Sequence, residues 1–123
     1  MSASILIADD EPNILISLEF LLKRAGYEVT LARDGQQALD AIQRDRPALV
    51  LLDVMMPIKT GFEVCQAVRA DDSLNAVRIL MLSAKGRDTD LAKGSALGAD
   101  AYMTKPFSTR ELADKVREML GPA

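Results

Sequence analysis

Four apolar runs in this chain each stop at a residue able to do chemistry. Residues 5–8 run into the paired acids Asp9 and Asp10, residues 49–52 into Asp53, residues 79–82 into Ser83, and residues 101–104 into Lys105. Taken singly, each has an ordinary explanation. Acids before a helix favour its N-terminus, an aspartate after a strand suits a turn, a serine bonds loop backbone, and a lysine is a solvated charge. Brought to one place, they make a different object. Three carboxylates about 5 Å apart repel by roughly 3 kcal/mol per pair at an effective dielectric of ~20, which invites a divalent cation. Oxygen-only ligands with room for water suit Mg²⁺. The chain has no histidine, which removes His-based nucleophile activation and His-ligated zinc. Cys65 is the single cysteine, so no internal disulfide forms; beside Val64 and Val68 it reads as a small buried hydrophobe.

Whether those residues meet depends on the elements that carry them. Short apolar runs alternate five times with stretches of helical periodicity. Strands are expected at residues 5–8, 29–32, 49–52, 79–82 and 101–104, and the helical faces include Leu15, Leu18, Leu22 and Ala25, then Leu112, Val116, Met119 and Leu120. Pro12 suits a first helical turn and Gly26 a C-terminal cap, while Thr60-Gly61-Phe62-Glu63 and Ser108-Thr109-Arg110-Glu111 fit the capping-box pattern. Helices therefore start near 61 and 109. A fourth helix is expected at about 88–97, weakened by Gly94, which costs about 1 kcal/mol relative to alanine.

Such strand-helix units build a parallel sheet covered on both faces through right-handed crossovers. The fold class expected is α/β, a single doubly wound five-stranded sheet of order 2-1-3-4-5 with five helices and flavodoxin-like topology. In that order strands one and three are neighbours at the switch point, where ligands bind beyond the strand carboxyl ends. Asp9, Asp10, Asp53, Ser83 and Lys105 then share one edge.

Length and composition set the remaining limits. The 123 residues suit one domain, and 49% hydrophobic with 27% charged residues is a globular composition. A net charge of −3 without a Lys/Arg-rich run argues against direct nucleic-acid binding. No apolar stretch is long enough to span a bilayer, and the first residues, MSASILIADD, lack a basic leader and a cleavable apolar region. A cytoplasmic location and no membrane contact are expected.

The stretches LIADDEP, VLLDVMMPIKTG, ILMLSAK and GADAYMTKPF together resemble the receiver domain of two-component response regulators, and the resemblance covers the chain, residues 1–123. It implies a phosphorylation-activated signalling domain rather than an enzyme with an external substrate. Asp53 is the implied phosphoacceptor, with Lys105 pairing the phosphoryl group. Asp9, Asp10, Asp53 and the Met55 backbone carbonyl are the implied Mg²⁺ ligands. Ser83 and Tyr102 are the implied switch pair, Met55 and Lys85 candidates for tuning phosphoryl lifetime, and Lys105-Pro106 the implied cis peptide. The implied partners are a sensor histidine kinase or histidine phosphotransfer protein and a downstream output protein or domain, met through the surface of helix four, strand five and helix five. Two rival readings stand beside it. An aspartate-nucleophile phosphatase of the haloacid dehalogenase type also has its aspartate after a buried strand, but would place a second aspartate where Met55 stands. The other is a non-phosphorylated binding module that keeps the receiver fold, against which the intact Asp9, Asp10, Asp53 and Lys105 speak, or an FMN carrier of the same topology, which would need a phosphate-binding loop after strand one.

Overall fold

Five stretches of β-branched and aliphatic residues form the sheet of the computed structural model, which describes residues 3–84 and 88–121, the side chains of 88–91 excepted. In chain order the elements are β1 (Ser4–Ala8), α1 (Pro12–Arg24), β2 (Glu28–Ala32), α2 (Gly35–Asp45), β3 (Leu49–Asp53), α3 (Gly61–Arg69), β4 (Arg78–Ala84), α4 (Asp88–Ala96), β5 (Ala101–Lys105) and α5 (Thr109–Leu120). A short 3-10 turn at Asp72–Leu74 precedes β4; no periodic signal announces it. All strands are parallel in the order β2-β1-β3-β4-β5, the expected doubly wound, flavodoxin-like arrangement.

The period-two alternation of strand side chains divides the interior into two cores. Leu6, Val50, Leu52, Ile79 and Met81 face Ala38, Ile42, Val64, Cys65 and Val68 of α2 and α3. Ile5, Ile7, Leu49, Leu51, Leu80 and Leu82 face Leu15, Leu18 and Leu22 of α1 and Leu112 and Val116 of α5. Because β3 is central, both of its faces are covered and every residue of it is buried. Burial of each such leucine stabilises the fold by about 1.5–3 kcal/mol, and that holds the end of β3 rigid.

Helix boundaries follow the capping chemistry. Thr60 and Ser108 each accept from the backbone N–H three residues on, and Glu63 and Glu111 reach back to the capping residue's own N–H, completing both boxes. Pro12 opens α1 as expected. The end of α1 differs by one position: Ala25 is the cap and Gly26 follows it at φ +102°, the left-handed site a glycine adopts without a Cβ penalty. Ala25 is exposed rather than part of the buried face, because the helix ends before that position turns inward. No helix among the described residues is long and apolar enough to cross a membrane.

Candidate phosphoacceptor cleft

Asp9 follows β1, Asp53 is the last residue of β3, and Lys105 the last residue of β5. Ser83 lies inside β4 rather than after it, since β4 runs on to Ala84 and Ser83 pairs in register with Thr104. The register also sets Asp53 opposite Leu82, so Ser83 stands one step beyond the end of β3. The strand ends at the switch point between β1 and β3 thus bring together Asp9, Asp10, Asp53 and Lys105.

One oxygen from each of Asp9, Asp10 and Asp53 lies within 4.8 Å of the others. Asp9 is fully buried, Asp53 is 6% exposed, and Asp10 is exposed at the mouth. Lys105 Nζ sits among them. It donates to Asp9 Oδ2 at 2.7 Å and lies 3.4 Å from Asp53 Oδ1 and 3.8 Å from Glu11 Oε1. Its nearest partner is therefore Asp9, and Glu11, in sequence only one of the acids leading into a helix, joins the rim. Its position after the acidic pair was the available signal. The Glu11 N–H in turn donates to Asp9 Oδ1 at 2.9 Å, so the innermost carboxylate is held from two sides.

These surroundings act unequally on the two central groups. Burial, aided by the Asp9 charge, pushes the Asp53 carboxyl up to about 6 despite the opposing pull of Lys105. Burial draws the Lys105 ammonium down, but its hydrogen bond to Asp9 and the charge of Asp53 outweigh that, leaving its pKa raised. Lys105 therefore stays charged at neutral pH, and Asp53 is ionised but held at a cost.

The loop beyond Asp53 is fixed by its backbone. Val54 N–H donates to Leu82 O at 3.0 Å and Gly61 N–H to Val54 O at 2.8 Å. At Gly61 a Cβ would lie 2.3 Å from the Asp53 carbonyl oxygen, a backbone atom that cannot yield, so only glycine lets α3 start so close to Asp53. Inside this loop Lys59 N–H donates to Pro57 O at 2.8 Å around Ile58, whose φ is +71° and whose side chain is 74% exposed. Met55 also projects into solvent, 55% exposed, and brings no acid to the position two residues after Asp53.

Ser83 is buried, at 1% exposure. Tyr102 is half-buried, packed on the α2–α3 side of the sheet, with its hydroxyl oxygen out of solvent. The Lys105-Pro106 bond is cis. Lys85 lies outside the described residues.

The carboxylate cluster fits a hard divalent cation: it offers oxygens only, one of its acids is exposed at the mouth where water can complete the shell, and its central carboxylate resists ionisation without a counter-charge. The arrangement can hold such an ion beside an ionised nucleophile and an ammonium.

Comparison with known proteins agrees with this geometry. Residues 5–117 match the family model described as the response regulator receiver domain. A candidate response regulator from Chloroflexus aurantiacus shares 35% identity at a TM-score of 0.92, covering 98% of either chain. The chemotaxis protein CheY4 of Vibrio cholerae shares 34% identity at a TM-score of 0.90, covering 97% of this chain and 99% of its own. The receiver domain of a sensor histidine kinase from Pseudomonas aeruginosa, solved with a magnesium ion coordinated in its active-site cleft, shares 30% identity at a TM-score of 0.89, covering 98% of this chain and 99% of its own.

Proposed function

The chain belongs to the response regulator receiver domains of two-component signalling, and on that basis we propose that it is a switch driven by phosphorylation of Asp53. The observation that carries this reading is the Asp53 carboxylate itself, 6% exposed at the end of a rigid central strand with Lys105 Nζ 3.4 Å away. With its pKa near 6, the group is mostly ionised at neutral pH while remaining poorly solvated, the condition of a usable nucleophile.

A carboxylate oxygen of Asp53 attacks phosphorus, the bond to the donor group breaks, and the donor departs with that electron pair. A phosphohistidine imidazole on a sensor kinase or phosphotransfer protein supplies such a leaving group, as does acetate from acetyl phosphate. Lys105 faces the phosphoryl oxygens and offsets their charge, so positioning and electrostatics carry the step. Asp9, Asp10, Asp53 and the Met55 carbonyl would hold Mg²⁺, as the Pseudomonas relative holds magnesium in its cleft. When bound, the ion neutralises charge on the phosphoryl oxygens and among the acids.

The product is an acyl phosphate with more negative charge and more acceptor oxygens than the carboxylate. The Ser83 hydroxyl donates to one of those oxygens, drawing the end of β4 toward the cleft, and Tyr102 follows. The surface of α4, β5 and α5 then differs between states, and a downstream protein preferring one surface shifts the population. Water then attacks phosphorus, the bond to the Asp53 oxygen breaks, and inorganic phosphate leaves as Asp53 returns to the carboxylate, at a rate that Met55 and Lys85 tune. The protein acts in the cytoplasm on this reading, without contacting nucleic acid or membrane itself.

Incubation with acetyl phosphate and Mg²⁺, quenched in acid and read by intact mass, tests the proposal. One phosphoryl group adds to wild type and none to Asp53→Asn, and excess chelator suppresses the reaction. Equal labelling of the two proteins overturns it.

A further inference from the structure

Gly94 lies in the last turn of α4, buried, at the position facing Tyr102. Were a Cβ placed there, it would stand 3.3 Å from Tyr102 Cε2, 3.6 Å from Cδ2 and 3.5 Å from Met81 Cγ. The first distance is tighter than nine in ten such contacts, so a neighbour must yield by a few tenths of an ångström.

The helix is poorly placed to do so. Beyond its C-terminal end Arg69 of α3 forms a clamp: Nε donates to Gly98 O at 2.9 Å and Nη2 to Asp100 Oδ2 at 2.7 Å. Asp100 Oδ2 also accepts from the Ile79 N–H at 2.8 Å, tying the clamp to β4. On the other side of Gly94, Lys93 Nζ lies 4.6 Å from the centre of the Phe62 ring at the start of α3. Met81 is fully buried in the sheet beneath. Among these neighbours the half-buried tyrosine ring, which can rotate about χ1 toward solvent, is the group with somewhere to go.

The glycine also carries a cost that packing must explain. In a helix interior alanine is favoured over glycine by about fivefold in the folding constant. A nine-residue helix has few turns over which to recover that loss.

We propose that Gly94 is the positioning residue for Tyr102: its missing side chain keeps open the seat in which the ring lies with its hydroxyl buried, and a methyl group there drives the ring outward. This rests on the reading of Tyr102 as the aromatic that follows phosphorylation of Asp53. Gly94 then sets how readily that movement occurs, and a larger residue biases the switch without touching the phosphoryl group.

The test compares wild type, Gly94→Ala, Tyr102→Ala and the double variant. Tyr102 ring resonances are read by NMR before and after acetyl phosphate and Mg²⁺, with Tyr27 as internal reference. In unphosphorylated Gly94→Ala the Tyr102 resonances move toward solvent-exposed positions and broaden with a paramagnetic cosolute, while those of Tyr27 stay. The phosphorylation-dependent shift at Tyr102 falls severalfold, although Asp53 still labels fully by intact mass. In urea, Gly94→Ala stabilises the Tyr102→Ala background by about fivefold in the folding constant, its helix-propensity gain, and loses that gain when the ring is present. Should Gly94→Ala fail to fold, rescue by Tyr102→Ala supports the seat; failure of both overturns it. Unchanged Tyr102 resonances, or equal stabilisation in both backgrounds, also overturn it. Wild-type Tyr102 resonances that ignore phosphorylation refute the switch reading instead, and the seat is then judged on the unphosphorylated ring alone.

Discussion

Replacing Asp53 by asparagine should stabilise the metal-free protein, by an amount that grows with pH. The folded carboxyl holds its proton up to about pH 6, against an ordinary value of 3.8. Between those values the folded state binds more protons than the unfolded state, so stability falls as pH rises through that window and stays low above it. A shift of about two units corresponds to roughly 3 kcal/mol at 1.36 kcal/mol per unit, and solvent reaching the open side of the cleft reduces that to about 2 kcal/mol. Asparagine keeps the shape and sheds the charge, while Lys105 retains Asp9 as a partner at 2.7 Å. Urea unfolding in excess chelator, followed by circular dichroism from pH 4 to pH 8, measures the difference. Asp53→Asn should exceed wild type by well under about 1 kcal/mol near pH 4 and by about 2 kcal/mol above pH 7, with unchanged m-values. A constant difference across the range, or a destabilised Asp53→Asn at pH 7.5, would falsify the claim that an ionised Asp53 strains the metal-free fold.

Three further outcomes follow from the same geometry. Mg²⁺ should stabilise wild type by mass action, about 2.7 kcal/mol at a hundredfold excess over its dissociation constant, and Asp10→Asn by clearly less; equal gains in thermal melts would mean that Asp10 holds no metal. Lys105→Met should carry the Asp53 carboxyl above its present value of about 6, because the opposing cation is gone, and ¹³C carboxyl titration in chelator reads this directly; a lower value would mean that the lysine does not act on Asp53. Ile58→Asn should raise stability by about 0.5–1 kcal/mol, since a β-branched residue pays for its left-handed backbone and asparagine tolerates it, whereas a lower urea midpoint would show that the exposed side chain is held by contacts.

The sequence made the fold readable because each signal was local. The apolar run of β3 and the two capping boxes depend on residues a few positions apart, and both appear where expected. The grouping of Asp9, Asp10, Asp53 and Lys105 was readable from strand ends, once the order 2-1-3-4-5 was adopted. Its pairings were not. Lys105 chooses Asp9, 96 residues away, over Asp53, a choice set by side-chain reach across β1, β3 and β5 rather than by pattern. Ser83 falls inside β4 because backbone pairing with β5 continues past the apolar run that marked the strand. The left-handed Ile58 was hidden because its type argues against such a conformation; it is the central residue of the tight turn closed by the Lys59 to Pro57 hydrogen bond.

The central claim, that Asp53 receives the phosphoryl group, is tested most directly by trapping the product. Borohydride reduces an acyl phosphate and leaves a carboxylate untouched, so treating the acetyl phosphate-labelled protein converts the phosphorylated aspartate to homoserine, which peptide sequencing by mass spectrometry locates. The account predicts homoserine at position 53, dependent on Mg²⁺, with Asp9 and Asp10 unchanged. Homoserine at Asp9, Asp10 or any other aspartate in place of Asp53 would contradict it.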